Sequence, residues 1–253
     1  MICNIISGII ANISFAILVS IVSSISWIIY HLIGRQNLLK FFNISKNKEI
    51  FIYLSNIRVI PKGSIGADGE QKSFSGSTIS FKEFIAMNKF RDNLNKLIPS
   101  LSDKQNFISK LLFSDVKINV SPSYDNLKIN NTNTVISLGS PVYNLTSKEM
   151  ENHEKSRVKF IENNKEISVR NKSGEDKIIK DTGCGFIQRI VEEKRNLFYI
   201  AGKEEIVTSN SAKYLAENWK KLYKEFSHDK SFYVLLQFDD YGNSSEIESQ
   251  KWE

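Results

Sequence analysis

The chain has 253 residues, with 34 Lys or Arg against 28 Asp or Glu, a net charge of +6, two Cys and three His. This balance excludes wholesale disorder and a multi-span membrane protein. It also leaves too few Cys and His for a disulfide framework or a His/Cys metal cage, so no metal and no cofactor is expected.

One asymmetry dominates: the first charged side chain is Arg35. Residues 1–34 are rich in Ile, and Ile9 to Ile29 alone exceeds the roughly 20 residues that cross a hydrocarbon core. Trp27, Tyr30 and His31 gather at one end, where amphipathic rings favour the headgroup layer. A cleaved leader needs a basic start and a shorter apolar core, so 1–34 reads as a retained transmembrane anchor. Between 35 and 62 six Lys or Arg face the single acid Glu49. Basic flanks stay in the cytoplasm, so the expected topology is a single-pass cell-membrane protein with its N-terminus outside and everything else inside. The bilayer is the first expected partner. Gly8, Asn12, Ala16, Ser20 and Ser24 form a stripe of small or short polar residues, which points to homo-oligomers through that face.

Residues 35–48 read as a basic juxtamembrane connector, and 49–240 as one cytoplasmic α/β domain. EIFIYLSNIRVI (49–60) is a predicted strand, followed by a loop with glycines from Gly63 to Gly76. Ser80 and Glu83 form a capping box for a helix that Pro99 stops, and Ser102 and Gln105 form another. Strands are predicted at 116–121 and 133–142, then a polar, superficial helix capped from Thr146 to Glu149. Residues 157–180, with the turn Asn171-Lys-Ser-Gly174, read as an antiparallel hairpin. A strand at 196–202, a helix at 209–226 and a strand at 231–238 complete the domain. The last two strands are apolar on both faces, as in sheets covered by helices on each side. The expected fold is therefore α/β, a three-layer and mostly parallel sheet with a hairpin insertion. Residues 241–253 read as a solvated acidic tail.

In open α/β sheets ligands gather beyond the carboxyl ends of strands. Three loops meet that description. The first supplies Gly139, Ser140, Tyr143, Asn144 and Thr146, where Gly admits a close ligand and the polar groups hydrogen-bond it. The second supplies Gly202, Lys203, Thr208 and Ser209, which suit a phosphate or ribose. The third runs from Gly63 to Thr78. Neither G-x-G-x-x-G nor G-x-x-x-x-G-K-[ST] occurs. Asp181-Thr182-Gly183 is a lone copy of a triplet that protease chemistry needs twice, so it reads as a turn. Glu204 and Glu205 read as a solvated loop, and Cys184 has no base beside it in sequence.

The strand into Gly139-Ser140-Pro141, then Asn144, with Ala201-Gly202, Thr208 and Ala212 later, resembles the Rossmann-like nucleotide-sensing folds. The nearest group is the SLOG and nucleoside 2-deoxyribosyltransferase-like one. The resemblance covers about 130–240. It implies a Rossmann-like sheet that recognises a nucleotide or nucleoside-derived ligand, as in membrane-tethered bacterial defence or signalling effectors, or that cleaves an N-glycosidic bond. The Gly-Thr turn of that group is missing after Gly202, where Lys203-Glu204-Glu205-Ile206-Val207 stands instead. No acid matches a glycosidase nucleophile, so no catalytic residue is transferred. A further alternative is a membrane-anchored nucleic-acid-binding protein of phage-exclusion type, since the soluble part is basic and rich in aromatics. Its Lys and Arg are scattered rather than blocked, which favours the nucleotide-type ligand.

Overall fold

The computed structural model describes residues 2–44, 49–58, 77–79, 81–97, 117–122, 134–161, 166–193, 195–240 and 242–252. The expected loop from Gly63 to Gly76, the cap at Ser80 and the helix after Ser102 lie outside the described residues. The chain divides into two compact units, Met1–Leu38 and Leu39–Glu253.

Residues 2–38 of the first unit belong to helix α1 (Ile2–Phe41), whose last turn belongs to the second unit. Within α1, Ile17–Phe41 is long and apolar enough to cross a membrane. Ile17 to Tyr30 are exposed along their whole run. Of the small-residue stripe, Ser24 Oγ donates to the Ser20 carbonyl at 2.8 Å, a bond within the helix. The side chains of Gly8, Asn12 and Ala16 lie outside the described ones.

α1 runs seven residues beyond the expected end of the anchor, through the first half of the basic connector. Nothing in 35–41 breaks a helix. It ends where Asn43 takes φ +49°, with Asn43 N donating to the Lys40 carbonyl and Ile44 N to the Leu39 carbonyl. That pair of bonds is the Schellman arrangement, which satisfies the last carbonyls of a helix.

The second unit is built on a seven-stranded sheet. Its order is β12 (Ser244–Trp252), β11 (Ser231–Phe238), β9 (Cys184–Val191), β10 (Asn196–Gly202), β5 (Thr134–Leu138), β1 (Glu49–Leu54) and β4 (Lys117–Pro122). β4, β1, β5 and β10 are mutually parallel. β9 enters antiparallel between β10 and β11, and β12 pairs antiparallel on the outer edge of β11. Five of the seven strands thus point the same way.

One face packs on helix α4 (Glu205–Phe226), whose Leu215, Trp219, Leu222 and Phe226 are buried. Helix α2 (Phe81–Leu97) lies alongside α4. The other face is covered by the short helix α3 (Leu145–Glu151) and by a second, antiparallel sheet. That sheet has the order β6 (Val158–Ile161), β7 (Glu166–Arg170) and β8 (Asp176–Ile179). The expected hairpin at 157–180 is therefore a three-stranded layer, turning at Asn171 and Gly174 as predicted, with Gly174 at φ +87°. Val158, Ile167 and Val169 pack with Phe186, Tyr199 and Tyr233 of the large sheet. The remaining strands, β2 (Asn56–Arg58) and β3 (Ser77–Ile79), form a separate antiparallel pair.

At the amino ends of β5, β10 and β11, Phe41, Phe42 and Ile44 are part of the core. Phe41 and Phe42 are fully buried. The Phe41 ring lies 5.7 Å from Phe198, 6.2 Å from Phe232 and 6.3 Å from Tyr223, centroid to centroid. Its carbonyl accepts from Asn196 Nδ2 at 3.0 Å and Arg189 Nη1 at 3.4 Å, and the Phe42 carbonyl accepts from Thr134 Oγ1.

Two strands of the large sheet depart from expectation. β9 is a central strand that the sequence hides, because Gln188 and Arg189 stand in its middle. Both are fully buried and both are satisfied. Gln188 Oε1 accepts from Arg157 N and Val158 N, while Arg189 donates to the carbonyls of Phe41, Ser227 and Lys230. The stretch from 239 on is no free tail, since β12 occupies most of it. Its acids serve as acceptors: Glu246 for Lys221 Nζ at 2.7 Å, Glu248 for Lys177 Nζ at 2.7 Å and for Tyr233 Oη.

Candidate functional site

The strand order of the parallel block points to a candidate site. From β1 the chain passes outward to β4, then returns across β1 to β5, and reaches β9 and then β10 on that far side. The direction of travel reverses between β1 and β5, and open α/β sheets bind ligands outside the carboxyl ends of the two strands at such a reversal.

Three residues meet there. Ser55 follows β1, Gly139 follows β5, and Glu83 projects from the first turn of α2. Ser55 N donates to Glu83 Oε2 at 2.8 Å and Ser55 Oγ to Glu83 Oε1 at 2.8 Å. Gly139 has φ +107°, a conformation that disfavours any side chain. A Cβ at Gly139 would stand 2.5 Å from Glu83 Oε1 and closer still to Ser55 Oγ, so only glycine lets this backbone lie across the pair. Gly139 N is fixed in turn to the Ile200 carbonyl at 3.0 Å.

Glu83 is 4% exposed, although it belongs to a residue type rarely buried so deeply. Burial pushes its carboxyl up to about 7; the negative charge of Glu205 adds to the rise, and the two bonds from Ser55 oppose it. Glu205 opens α4, where its Oε1 accepts from Lys82 N at 3.3 Å and its Oε2 lies 3.9 Å from Lys82 Nζ. The first turns of α2 and α4 therefore stand side by side at this edge.

The first predicted loop lies at the reversal, but its polar groups divide. Ser140 is half-buried, and Val142 and Tyr143 are exposed on the crest. Asn144, read as a ligand residue, is the actual N-cap of α3: its Oδ1 accepts from Ser147 N, and its Nδ2 donates to the carbonyls of Leu138 and Tyr53. With all these bonds made and no exposure, Asn144 holds the loop rather than a ligand. Thr146 is fully buried inside α3, not its cap, and the helix is not superficial. Ser147, which the sequence did not mark, ties the loop down by donating to the Gly139 carbonyl at 2.7 Å.

The second loop emerges one strand over, since β10 pairs β5 with Ile200 opposite Leu138. Its expected ligand groups are mostly committed. α4 begins at Glu205, four residues before the expected start, so Thr208 and Ser209 are helical. Thr208 Oγ1 accepts from Gly202 N at 2.9 Å, and a Cβ on Gly202 would meet Val207 Cγ1 at 2.5 Å. Gly202 is thus a packing glycine. Lys203 turns toward β8 and β9, with its Nζ donating to the Lys180 carbonyl and its N to the Cys184 carbonyl.

Beside α4, on the β11 side, a cavity of about 530 Å³ is lined by Asp181, Glu204, Asn210, Gln237, Asp239 and Asp240 among others. Gln237 and Gly183 N hydrogen-bond Asp181 and hold its carboxyl below the usual range. Among the described residues no group of three or more His, Cys, Asp or Glu is placed to hold a metal ion. Burial pushes the Cys184 thiol up to about 11, which leaves it protonated and unreactive at neutral pH.

Sequence reasoning named Gly139 but missed Ser55 and treated Glu83 only as a capping residue. A Glu in a first helical turn is ordinary, and nothing local says that this one is buried against the end of a strand. No protein-family model, curated protein or solved structure matches the chain.

Proposed function

We propose that this is a single-pass membrane protein whose second unit lies on the cytoplasmic side and binds a nucleotide-type ligand, as Rossmann-like sensing domains do. The observation that carries the reading is the cluster of Ser55, Glu83 and Gly139 at the reversal between β1 and β5. The exposed Tyr143 supplies a ring on which a base stacks, at the rim of the same loop. The side-chain amide and hydroxyls of Asn144, Ser147 and Thr208 are spent on the scaffold, and Ser55 and Glu83 are buried and bonded to each other, so direct recognition falls to Ser140 and Tyr143 on the loop, with the Ser55–Glu83 pair positioning that loop from beneath. Anchoring is supported by the uncharged, exposed run of α1, and the cytoplasmic side by Arg35, Lys40, Lys46 and Lys48 after it. A role in defence or signalling follows from the resemblance alone.

The test is a thermal-shift panel of nucleosides, nucleotides and cyclic dinucleotides on the full chain in detergent. At least one compound raises the melting temperature of the wild type and loses most of that effect on Glu83→Gln. A panel without a single shift overturns the proposal.

A second reading is favoured by Glu83 itself. A carboxyl that is partly protonated near neutrality suits general-acid work on an N-glycosidic bond. If the protein is such a hydrolase, the wild type releases free base from a nucleoside or nucleotide of the panel and Glu83→Gln releases none. Binding without base release leaves the sensing reading alone.

A further inference from the structure

We infer that Glu83 is a protonation-controlled latch on the switch-point crevice: neutral, it lets the Gly139 backbone close over Ser55; ionised, it loosens that closure. This regulates the site proposed above, and rests on that reading only for its biological meaning.

The glycine lies so close to Ser55 Oγ and Glu83 Oε1 that not even a methyl group fits between them. The carboxyl is therefore sealed under the strap, with 4% of the residue exposed. Such a place suits a neutral acid and penalises a charged one, because burial removes the water that stabilises charge.

The groups that face it decide how far this goes. From the end of β1 come the Ser55 amide and hydroxyl. From α4 comes the carboxylate of Glu205, which repels a second negative charge. From α2 itself comes Lys82, whose amide and ammonium are both directed at Glu205. From the end of β5 comes backbone alone, at Gly139. Ser55 satisfies either form, since its hydroxyl donates to a carboxylate and accepts from a carboxylic acid. Changing the proton thus keeps the contacts with Ser55. It changes the cost of keeping the strap closed.

The window follows from the two protonation equilibria. Freed into water the carboxyl ionises near its ordinary value of 4.5, and under the strap near 7. Between those values the open form holds fewer protons, so opening grows more favourable as pH rises. Above the upper value both forms are ionised and opening levels off.

Hydrogen exchange of the ligand-free full chain in detergent reads this directly, after normalising each amide to its intrinsic rate. Over the Ser137–Asn144 segment, protection falls by up to roughly tenfold per pH unit between pH 5 and pH 7 and is flat above. In Glu83→Gln it does not change over that range. In Glu205→Gln, which spares the latch residue, the levelling-off moves to lower pH, because removing the like charge makes Glu83 easier to ionise. Wild-type protection that is independent of pH overturns the latch, as does a Glu83→Gln protein that keeps the wild-type profile. Should Glu83→Gln fail to fold, an unshifted Glu205→Gln profile overturns it equally. No ligand is added, so failure of the nucleotide panel and failure of the latch are separate results.

Discussion

At the two ends of the parallel block Arg189 and Glu83 are both buried, and the two are treated in opposite ways. At the amino end Arg189 is fully enclosed, with its guanidinium 4.9 Å from the Phe41 ring centroid and 4.6 Å from that of Phe232. It donates to three carbonyls, those of Phe41, Ser227 and Lys230. Burial pulls it down to about 9, with Asp229 opposing, so it stays charged at neutral pH. At the carboxyl end Glu83 has Ser55 as donor but Glu205 as a like-charged neighbour, and its ionisation falls at about 7. A cation surrounded by acceptors is a fixed part of the fold. A carboxyl beside another carboxyl is a group whose state changes, and such groups collect at functional sites.

That contrast breaks most visibly at the amino end. Phe41→Ala empties a ring-lined site and lowers unfolding stability by about 3–5 kcal/mol. Arg189→Met keeps much of the volume but takes the guanidinium from the Ser227 and Lys230 carbonyls and leaves the Phe41 carbonyl to Asn196 alone, at a cost of about 3 kcal/mol. Denaturant titration measures both. If this end is purely structural, neither substitution changes ligand response once the protein is folded; a Phe41→Ala protein at wild-type stability would show that the cage is not a core.

The carboxyl end yields a pH effect. Between 4.5 and about 7 the unfolded chain has lost the Glu83 proton while the folded one keeps it, so stability falls as pH rises and is constant above. The fall amounts to at most about 3 kcal/mol, since displacing an ionisation by one pH unit is worth about 1.4 kcal/mol. Denaturant midpoints at several pH values should show this slope in the wild type and its loss in Glu83→Gln. The smallest effect belongs to Tyr143→Ala. An exposed ring on a loop changes stability by about 0.5 kcal/mol or less, yet the substitution should weaken any bound base. Equal affinity in the variant would remove Tyr143 from the site.

How much of this was legible in the sequence follows the same division. β1, β4, β5, β10 and β11 were readable because β-branched and aromatic runs stand between turn residues. The turn from Asn171 to Gly174 was readable from its residues alone. β9 was not, because a buried Gln and Arg interrupt its pattern and only the distant partners Arg157, Ser227 and Lys230 explain them. β12 was not, because its acids look solvated until Lys177, Lys221 and Tyr233 are placed against them. At the candidate site Gly139 stands out in the sequence, since a glycine ending a buried strand signals close approach. Asn144 and Thr208 were taken for ligand groups because hydroxyls and amides that cap and pack look the same in sequence as those that bind. Glu83 and Ser55 are 28 positions apart, and nothing but the fold joins them.

The central claim is that a ligand sits where β1 and β5 part. The most direct measurement is hydrogen exchange of the full chain with and without the best compound of the nucleotide panel, at saturation. The account predicts new protection over Ser137–Asn144 and at Ser55, absent in Glu83→Gln. Protection confined to other segments, such as the acid-lined cavity beside α4, would contradict it.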